Sequence, residues 1–121
     1  MIAGVAKKEI QNLRGKMNNV YNSVTVAPNT PTVVAGITVP ARSGYSFKGV
    51  IIWSEVDCDV TVSLNVSVIG GGRISGAVQT LFLDYNASPY GIGAGDVVSV
   101  QVTQADVASH LVKATLLVEQ L

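Results

Sequence analysis

The side chains that could perform chemistry are few in this sequence. The chain of 121 residues contains one histidine, His110, and one cysteine, Cys58. A serine or cysteine nucleophile needs a base that a third group orients, and the only imidazole lies in the polar stretch 104–110. Cys58 stands between Asp57 and Asp59, and neighbouring negative charges raise the pKa of a thiol. The sequence therefore predicts no nucleophilic catalysis.

Carboxylates offer a second kind of chemistry. Asp57, Asp59 and Asp84 are the candidates for a glycosidase pair or for calcium ligands. Asp57 and Asp59 lie in or beside a predicted turn, where aspartate is favoured because its side chain bonds the backbone. One histidine and one cysteine also leave no ligand set for zinc and no internal disulfide. We therefore expect no metal, no cofactor and no enzymatic activity.

Two tyrosines form the candidate ligand loop. Tyr85 and Tyr90 flank Pro89 beside the longest predicted loop, residues 86–96. Aromatic rings on an exposed loop can stack on sugars, whereas the same rings can also close the end of a β domain. The pattern favours closure over ligand binding.

The elements that must position these side chains are strands. Valines at positions 60, 62, 66 and 68 alternate with polar residues, and positions 98–102 and 112–118 show the same period of two. Further runs lie near residues 23–27, 32–39, 45–54 and 78–85, with glycine- and proline-rich breaks between them. Evenly spaced short strands with such breaks predict a mainly β chain, an antiparallel jelly-roll-like β-sandwich of about seven to eight strands over residues 25–121.

One predicted strand is apolar on both faces. If residues 45–54 alternate strictly, Ile51 and Trp53 share one face, while Val50 and Ile52 occupy the other. A second apolar face needs a cover, and exposed apolar patches mark interfaces. Val50 and Ile52 are therefore predicted to contact a neighbouring subunit, with loops or the N-terminal helix as the alternative cover.

The first segment has a different period. Its apolar positions recur every three or four residues, as in the a/d seam of a coiled coil: Ala3, Ala6, Ile10, Leu13, Met17, Val20 and Val24. This spacing predicts an amphipathic helix over residues 1–24 that serves as an arm or a coiled-coil stem. Gly4 and Gly15 weaken it, so the helix needs a partner. The predicted partner is a homo-oligomer, with a trimer favoured, or a groove on another protein; packing on the chain's own β body is the alternative.

Charge and hydropathy limit the classes of partner that the chain is expected to bind. The net charge is zero, but residues 1–24 carry +3 and residues 25–121 carry −3. A solvated helix face explains the basic segment better than a nucleic-acid arm does. No apolar run reaches the roughly 18 residues of a membrane span, and residues 1–16 do not resemble a signal peptide. We expect a soluble protein, made in the cytosol, that binds neither nucleic acid nor membranes.

The second half of the chain carries a resemblance. The stretch GGGRISGAVQTLFLDYNASPYGIGAGDVVSVQVTQ, residues 70–104, and the terminal KATLLVEQL, residues 113–121, resemble small β-sandwich proteins from the structural genes of tailed bacteriophages. Those proteins are head decoration or cement proteins, head fibres, and tail-fibre or baseplate adhesins.

The resemblance implies a non-enzymatic structural protein of the virion. Such a protein is made in the host cytoplasm and decorates or cements the particle through its N-terminal helix and its β-sandwich. Its partners would be its own copies and other virion proteins, such as capsid or tail subunits. The alternative is an adhesin that binds a host glycan or protein.

Overall fold

A computed structural model of the chain describes residues 18–121. Nine β-strands account for most of this part of the chain, which contains no helix. They are β1 (Val20–Val26), β2 (Thr32–Thr38), β3 (Gly44–Ser54), β4 (Cys58–Leu64), β5 (Ser67–Ile74), β6 (Thr80–Asp84), β7 (Tyr90–Gly93), β8 (Val97–Gln104) and β9 (His110–Gln120).

The strands form two antiparallel sheets. The first sheet has the order β1-β9-β3-β6, and the short β7 also pairs with β3; the second has the order β2-β8-β4-β5. Only the β4–β5 and β6–β7 connections stay within one sheet, so the chain repeatedly passes from one sheet to the other. The predicted antiparallel β-sandwich is confirmed. The described residues hold nine strands for two reasons: the run predicted as one strand over residues 60–68 is divided between β4 and β5 by a turn at residues 65–66, and the segment predicted as the loop 86–96 contains β7.

The core lies between the sheets and is built mainly from valine. Alternate residues of β8 and β9 have almost no exposed surface, as their period of two predicts: Val98, Val100, Val102, Val112, Ala114, Leu116 and Val118. Each large apolar side chain buried in this way contributes about 1.5–3 kcal/mol relative to exposure. One side-chain hydrogen bond joins the two sheets where their edge strands β1 and β2 meet: Asn22 Nδ2 donates to the Val34 carbonyl at 2.8 Å.

The prediction that a helix extends to residue 24 is wrong. Residues 20–26 form β1, which pairs with β9 from Leu116 to His110. Val20 and Val24 are partly buried and pack against the core of their own chain. Their four-residue spacing fits one face of a helix, but it also fits one face of a strand. The strand is favoured here because β1 hydrogen-bonds to backbone groups of β9 that would otherwise be unpaired. Residues 1–17 lie outside the described residues, so a helix there remains a prediction.

The face assigned to Val50 and Ile52 is also corrected. The pairing of β3 with β9 shifts by one residue between Phe47 and Gly49, which is a β-bulge. A bulge adds one residue and reverses which side chains point inward. Phe47 therefore faces the core together with Val50 and Ile52, and all three have no exposed surface. Neither Val50 nor Ile52 is available to a neighbouring subunit; Ile51 lies on the outer face instead.

The bulge generates a stability prediction. Gly49 has φ of +151°, and a Cβ there would lie 2.4 Å from the Leu83 carbonyl oxygen on β6. Gly49→Ala should therefore push β6 away from β3 and lower the free energy of unfolding by about 2–4 kcal/mol. Gly91→Ala is the matched control, because nothing lies within 4 Å of a Cβ at that position. Urea denaturation measures both; equal stabilities would contradict the role of the bulge.

Candidate binding surface

The outer face of the first sheet carries a row of large exposed side chains. Tyr21 pairs with Thr115, Thr115 with Ile51, and Ile51 with Phe82, so one row crosses all four strands. Directly paired residues share a face with Cβ atoms about 5 Å apart. Tyr21 is 59% exposed, Ile51 39% and Phe82 50%. Together with Trp53 these three residues form what we call the apolar outer face.

Charged side chains border this face. Lys113 pairs with Trp53 across β9 and β3, and its Nζ lies 5.2 Å from the centre of the indole ring. This cation–π contact holds the lysine beside the apolar row. At the other end of the sheet, Lys48 Nζ lies 2.8 Å from Glu119 Oε1. An apolar centre with a polar border is the usual anatomy of a protein–protein interface.

The outer face of the second sheet is different. Gly36, Ser99 and Ser63 pair in one row across β2, β8 and β4, and Gln101 pairs with Thr61 in the next row. Val33 and Val68 extend these two rows and are 55% and 68% exposed, so this face mixes small polar residues with aliphatic ones. The two outer faces therefore differ in chemistry, and only the first sheet presents aromatic rings.

The candidate ligand loop is a packed aromatic cluster. Phe47 and Tyr85 meet edge to face with ring centres 5.6 Å apart, and Tyr85 and Tyr90 do the same at 5.3 Å. A shallow cavity of about 360 Å³ lies beside the two tyrosines. The structure therefore brings the predicted pair together. Tyr85 packs against an aromatic ring on two sides, which supports the closing role for this residue.

The hydroxyl of Tyr85 points toward β5. A Cβ at Gly70 would lie 2.0 Å from that oxygen, so only glycine leaves room for the ring to cover the strand. The oxygen is buried and has no hydrogen-bond partner, and burial raises the pKa of the Tyr85 phenol. Part of the glycine run at 70–72 is therefore explained by the packing of Leu81 on β6 and of Tyr85, just after it, over β5.

The single histidine contacts carboxylates. His110 Nε2 lies 2.5 Å from Asp106 Oδ2, and its Nδ1 lies 3.7 Å from Glu55 Oε1. Within residues 18–121, no serine or cysteine side chain hydrogen-bonds to this imidazole. Cys58 is buried, and burial is the main reason that the pKa of its thiol is raised, with Asp59 adding to it. The described groups therefore do not assemble a nucleophile and its base.

A depression at the same end of the sandwich is lined mainly by acidic side chains. Its volume is about 680 Å³, and its walls include Asp57, Asp59 and Arg73. Asp59 Oδ1 accepts a bond from Arg73 at 2.9 Å, and Asp57 Oδ1 accepts one from the Gly76 amide at 3.1 Å. Asp57 thus bonds a backbone amide, as turn chemistry predicts, whereas Asp59 lies within β4 and pairs with a side chain on β5. In the described chain, no three acidic, histidine or cysteine side chains lie close enough to share a metal ion.

The predicted interface residues fall into three groups. Ile10, Leu13 and Met17 lie outside the described residues, and Val20 and Val24 pack on the core. The third group, positions 50 and 52, belongs to the core as described above. The exposed rings of the apolar outer face were missed at the sequence level. The sequence did predict that the strand 45–54 is apolar on both faces. It assigned the wrong face to the outside, because Ile51 and Trp53 face outward rather than Val50 and Ile52.

The buried hydroxyl of Tyr85 generates a second prediction. Tyr85→Phe removes a buried polar atom that has no partner while keeping both ring contacts, so it should raise the free energy of unfolding by about 1 kcal/mol. Tyr90→Phe removes a hydroxyl that is not a buried, unpaired group and should leave stability unchanged. Thermal denaturation compares the two variants. A loss of stability in Tyr85→Phe would show that the hydroxyl has a partner.

The contact between Asp106 and His110 generates a prediction about pH. The hydrogen bond from His110, with the Val107 amide, holds the pKa of Asp106 below its ordinary value of 3.8. The stabilisation is therefore present above that ordinary value and is lost as the pH falls through the lower, folded-state pKa. The stability gap between the wild type and Asp106→Asn should be larger at about pH 5 than at about pH 2. A gap independent of pH, measured by urea denaturation, would contradict this assignment.

Comparisons with known proteins find likeness in fold alone. No protein-family model and no characterised protein matches the sequence. The crystal structure of PirA superposes with a TM-score of 0.53 at 14% identity, over 80% of this chain and 92% of that one. The insecticidal delta-endotoxin Cry8Ea1 from Bacillus thuringiensis gives 0.46 at 16% identity, and the match spans 19% of its length. At 14% identity, the similarity to PirA shows that the two chains share a β fold.

Proposed function

We propose that the chain is a non-enzymatic structural protein of a tailed-bacteriophage virion, which decorates or cements the particle. The observation that carries this proposal is the contrast between the two outer faces of the sandwich. Tyr21 and Phe82 give one outer face two exposed aromatic rings beside Ile51, whereas the opposite outer face exposes small polar residues and valines and no aromatic ring. A protein that attaches to a particle needs broad contact rather than a pocket.

The fold supports this proposal in a general way. The order β1-β9-β3-β6 facing β2-β8-β4-β5 is the arrangement of a jelly roll, an architecture common in viral capsid domains. The resemblance over residues 70–104 and 113–121 falls on β5–β9, which supply strands to both sheets. The likeness to PirA adds support for the sandwich but none for a biological role.

The assembly role includes the N-terminal segment. Ile10, Leu13 and Met17 are proposed to form a seam with copies of the chain, with a trimer favoured, or to fill a groove on a capsid or tail subunit. Because β1 begins at Val20, and Asn18 and Asn19 are bonded to Val118 of β9, the proposed arm is shortened to residues 1–17. The arm and the apolar outer face both begin at the same edge of the first sheet, so they can contact one partner together.

A non-catalytic role is supported by the bonds of the polar groups. Asp57 accepts a hydrogen bond from a backbone amide and Asp59 accepts one from an arginine side chain. Asp106 contacts the histidine ring. Glu55 Oε1 accepts a bond from the Leu111 amide at 2.5 Å. These carboxylates order the loops at one end of the sandwich, which is a structural use of the charges.

Incorporation into particles tests the proposal. Phe82→Asp places a charge in the proposed contact, and burying it would cost several kcal/mol, so the number of copies per particle should fall at least about tenfold. Val33→Asp is the control, because Val33 is 55% exposed on the opposite outer face. Quantitative mass spectrometry of purified particles measures both variants. Equal incorporation of Phe82→Asp and wild type would contradict attachment through the apolar outer face.

The position of the protein in a virion map separates decoration from adhesion. Copies spread over the icosahedral shell are the expected result. A few copies at the tail tip, together with host-glycan binding that is lost on replacing Tyr85 and Tyr90 with alanine, would favour the adhesin and overturn the structural role.

A further inference from the structure

The four edges of the two sheets differ in how well they resist pairing with another strand. An edge strand carries unpaired backbone groups, and proteins block such edges with bulges, short strands, prolines or charged side chains. β2 has a bulge at Val34, whose carbonyl accepts the bond from Asn22, and β5 has a bulge at Ile69. At one edge of the first sheet, β6 and β7 have only five and four residues. Three of the four edges therefore carry a feature that opposes strand addition.

The fourth edge, formed by β1, lacks these features. Its residues, VYNSVTV, pair with β9 at seven consecutive positions without a register shift and include no glycine, proline or charged side chain. Five of the seven are valine, tyrosine or threonine, which favour strands. Within residues 18–121, β9 is the only strand that pairs with β1, and side chains on both faces of this edge, such as Tyr21 and Asn22, are exposed. The edge is therefore open and suited to a further strand.

A second copy of the same strand suits this edge. In a two-fold symmetric pair each residue meets a residue of the same strand, so an edge with charges of one sign would repel its counterpart. β1 carries no charge. Antiparallel pairing centred on its middle residue, Ser23, uses all seven residues and places Tyr21 opposite Thr25 of the second copy. A pair of an aromatic and a β-branched side chain stabilises an antiparallel sheet.

We propose that two copies of the chain pair antiparallel through β1, in the register centred on Ser23. The bonds that hold the pair are main-chain hydrogen bonds, as in other cases of strand addition. Seven residues give a seam of roughly 24 Å with about six such bonds. A contact of this size is at the weak end of protein interfaces, so we expect a reversible dimer with a dissociation constant of about 10–100 µM.

The pairing would also enlarge the apolar outer face. A two-fold axis perpendicular to the sheet keeps the outer faces of both copies on the same side. Each copy contributes the strands from β6 to β1, so the exposed rings of Phe82 and Tyr21 from both copies lie on one continuous surface. The inference goes beyond the proposed virion role and does not depend on it. It is also distinct from the trimeric seam proposed for Ile10, Leu13 and Met17.

A single cysteine tests the register. Ser23 is the residue that meets its own counterpart, and directly opposed residues have Cβ atoms about 5 Å apart. Mild oxidation of full-length Ser23→Cys should therefore give a disulfide-linked dimer on a non-reducing gel. Thr25→Cys is the matched control, because it is exposed on the same face of β1 but its counterpart lies about 14 Å away along the seam. The native Cys58 is buried and should not react. Equal cross-linking of the two variants would overturn the inference.

Two double variants test whether this pairing drives association. Tyr21→Lys with Thr25→Lys places like charges opposite each other twice across the axis, whereas Tyr21→Glu with Thr25→Lys places opposite charges there. Both variants lose the same two side chains, whose partners on β9, Thr115 and Leu111, are uncharged. In sedimentation equilibrium at low salt, the variant with opposite charges should associate at least about tenfold more tightly. Equal association constants would overturn the inference.

The wild type supplies the remaining outcomes. A chain that stays monomeric up to about 500 µM, well above the expected dissociation constant, would overturn the inference. A trimer whose Ser23→Cys variant does not cross-link would also overturn it, in favour of the seam proposed for the N-terminal segment. Neither result bears on the virion role, which the incorporation of Phe82→Asp into particles tests separately.

Discussion

The pairing of β3 with β9 is the interaction on which the rest of the sandwich depends. These are the two longest strands, each of eleven residues, and they form the centre of the first sheet. The outer edge of β9 receives β1, and the outer edge of β3 receives both β6 and β7. The single bulge in this pairing sets the inward residues of β3. The same one-residue shift therefore supplies the core with Phe47, Val50 and Ile52 and sends Ile51 to the surface.

Close packing across the sandwich edge follows from the same arrangement. β6 lies against β3 closely enough that Gly49 cannot carry a Cβ, and Leu81 of β6 and Tyr85, the residue after β6, extend over β5. β5 accommodates them with Gly70 and Gly72, whose missing side chains leave room for the rings and methyl groups. The glycine-rich strand is thus the counterpart of large side chains on the opposite sheet. Its composition reflects packing between sheets rather than flexibility or phosphate binding.

The difference in side-chain chemistry between the two outer faces links the fold to its proposed role. β2, β8 and β4 expose small polar side chains and a few valines such as Val33, whereas the first sheet exposes the rings of Tyr21 and Phe82 beside Ile51. The polar groups at the end of the sandwich are engaged in holding loops. Gln104, which is buried, donates to the carbonyls of Val26 and Ala108 and accepts from the Asp106 amide. The surface proposed for partners is therefore the apolar outer face.

The sequence by itself determined that the chain is an antiparallel β-sandwich, because the period of two in β4, β8 and β9 follows from the alternation of side chains along any strand. It also indicated correctly that residues 50–53 are apolar on both faces. Only the tertiary structure decided which face is which, since a bulge at Gly49 depends on the register with β9 and leaves no local pattern. The strand at Val20–Val26 was hidden for a related reason. A spacing of four residues suits one face of a helix and one face of a strand, and the free edge of β9 is what selects the strand.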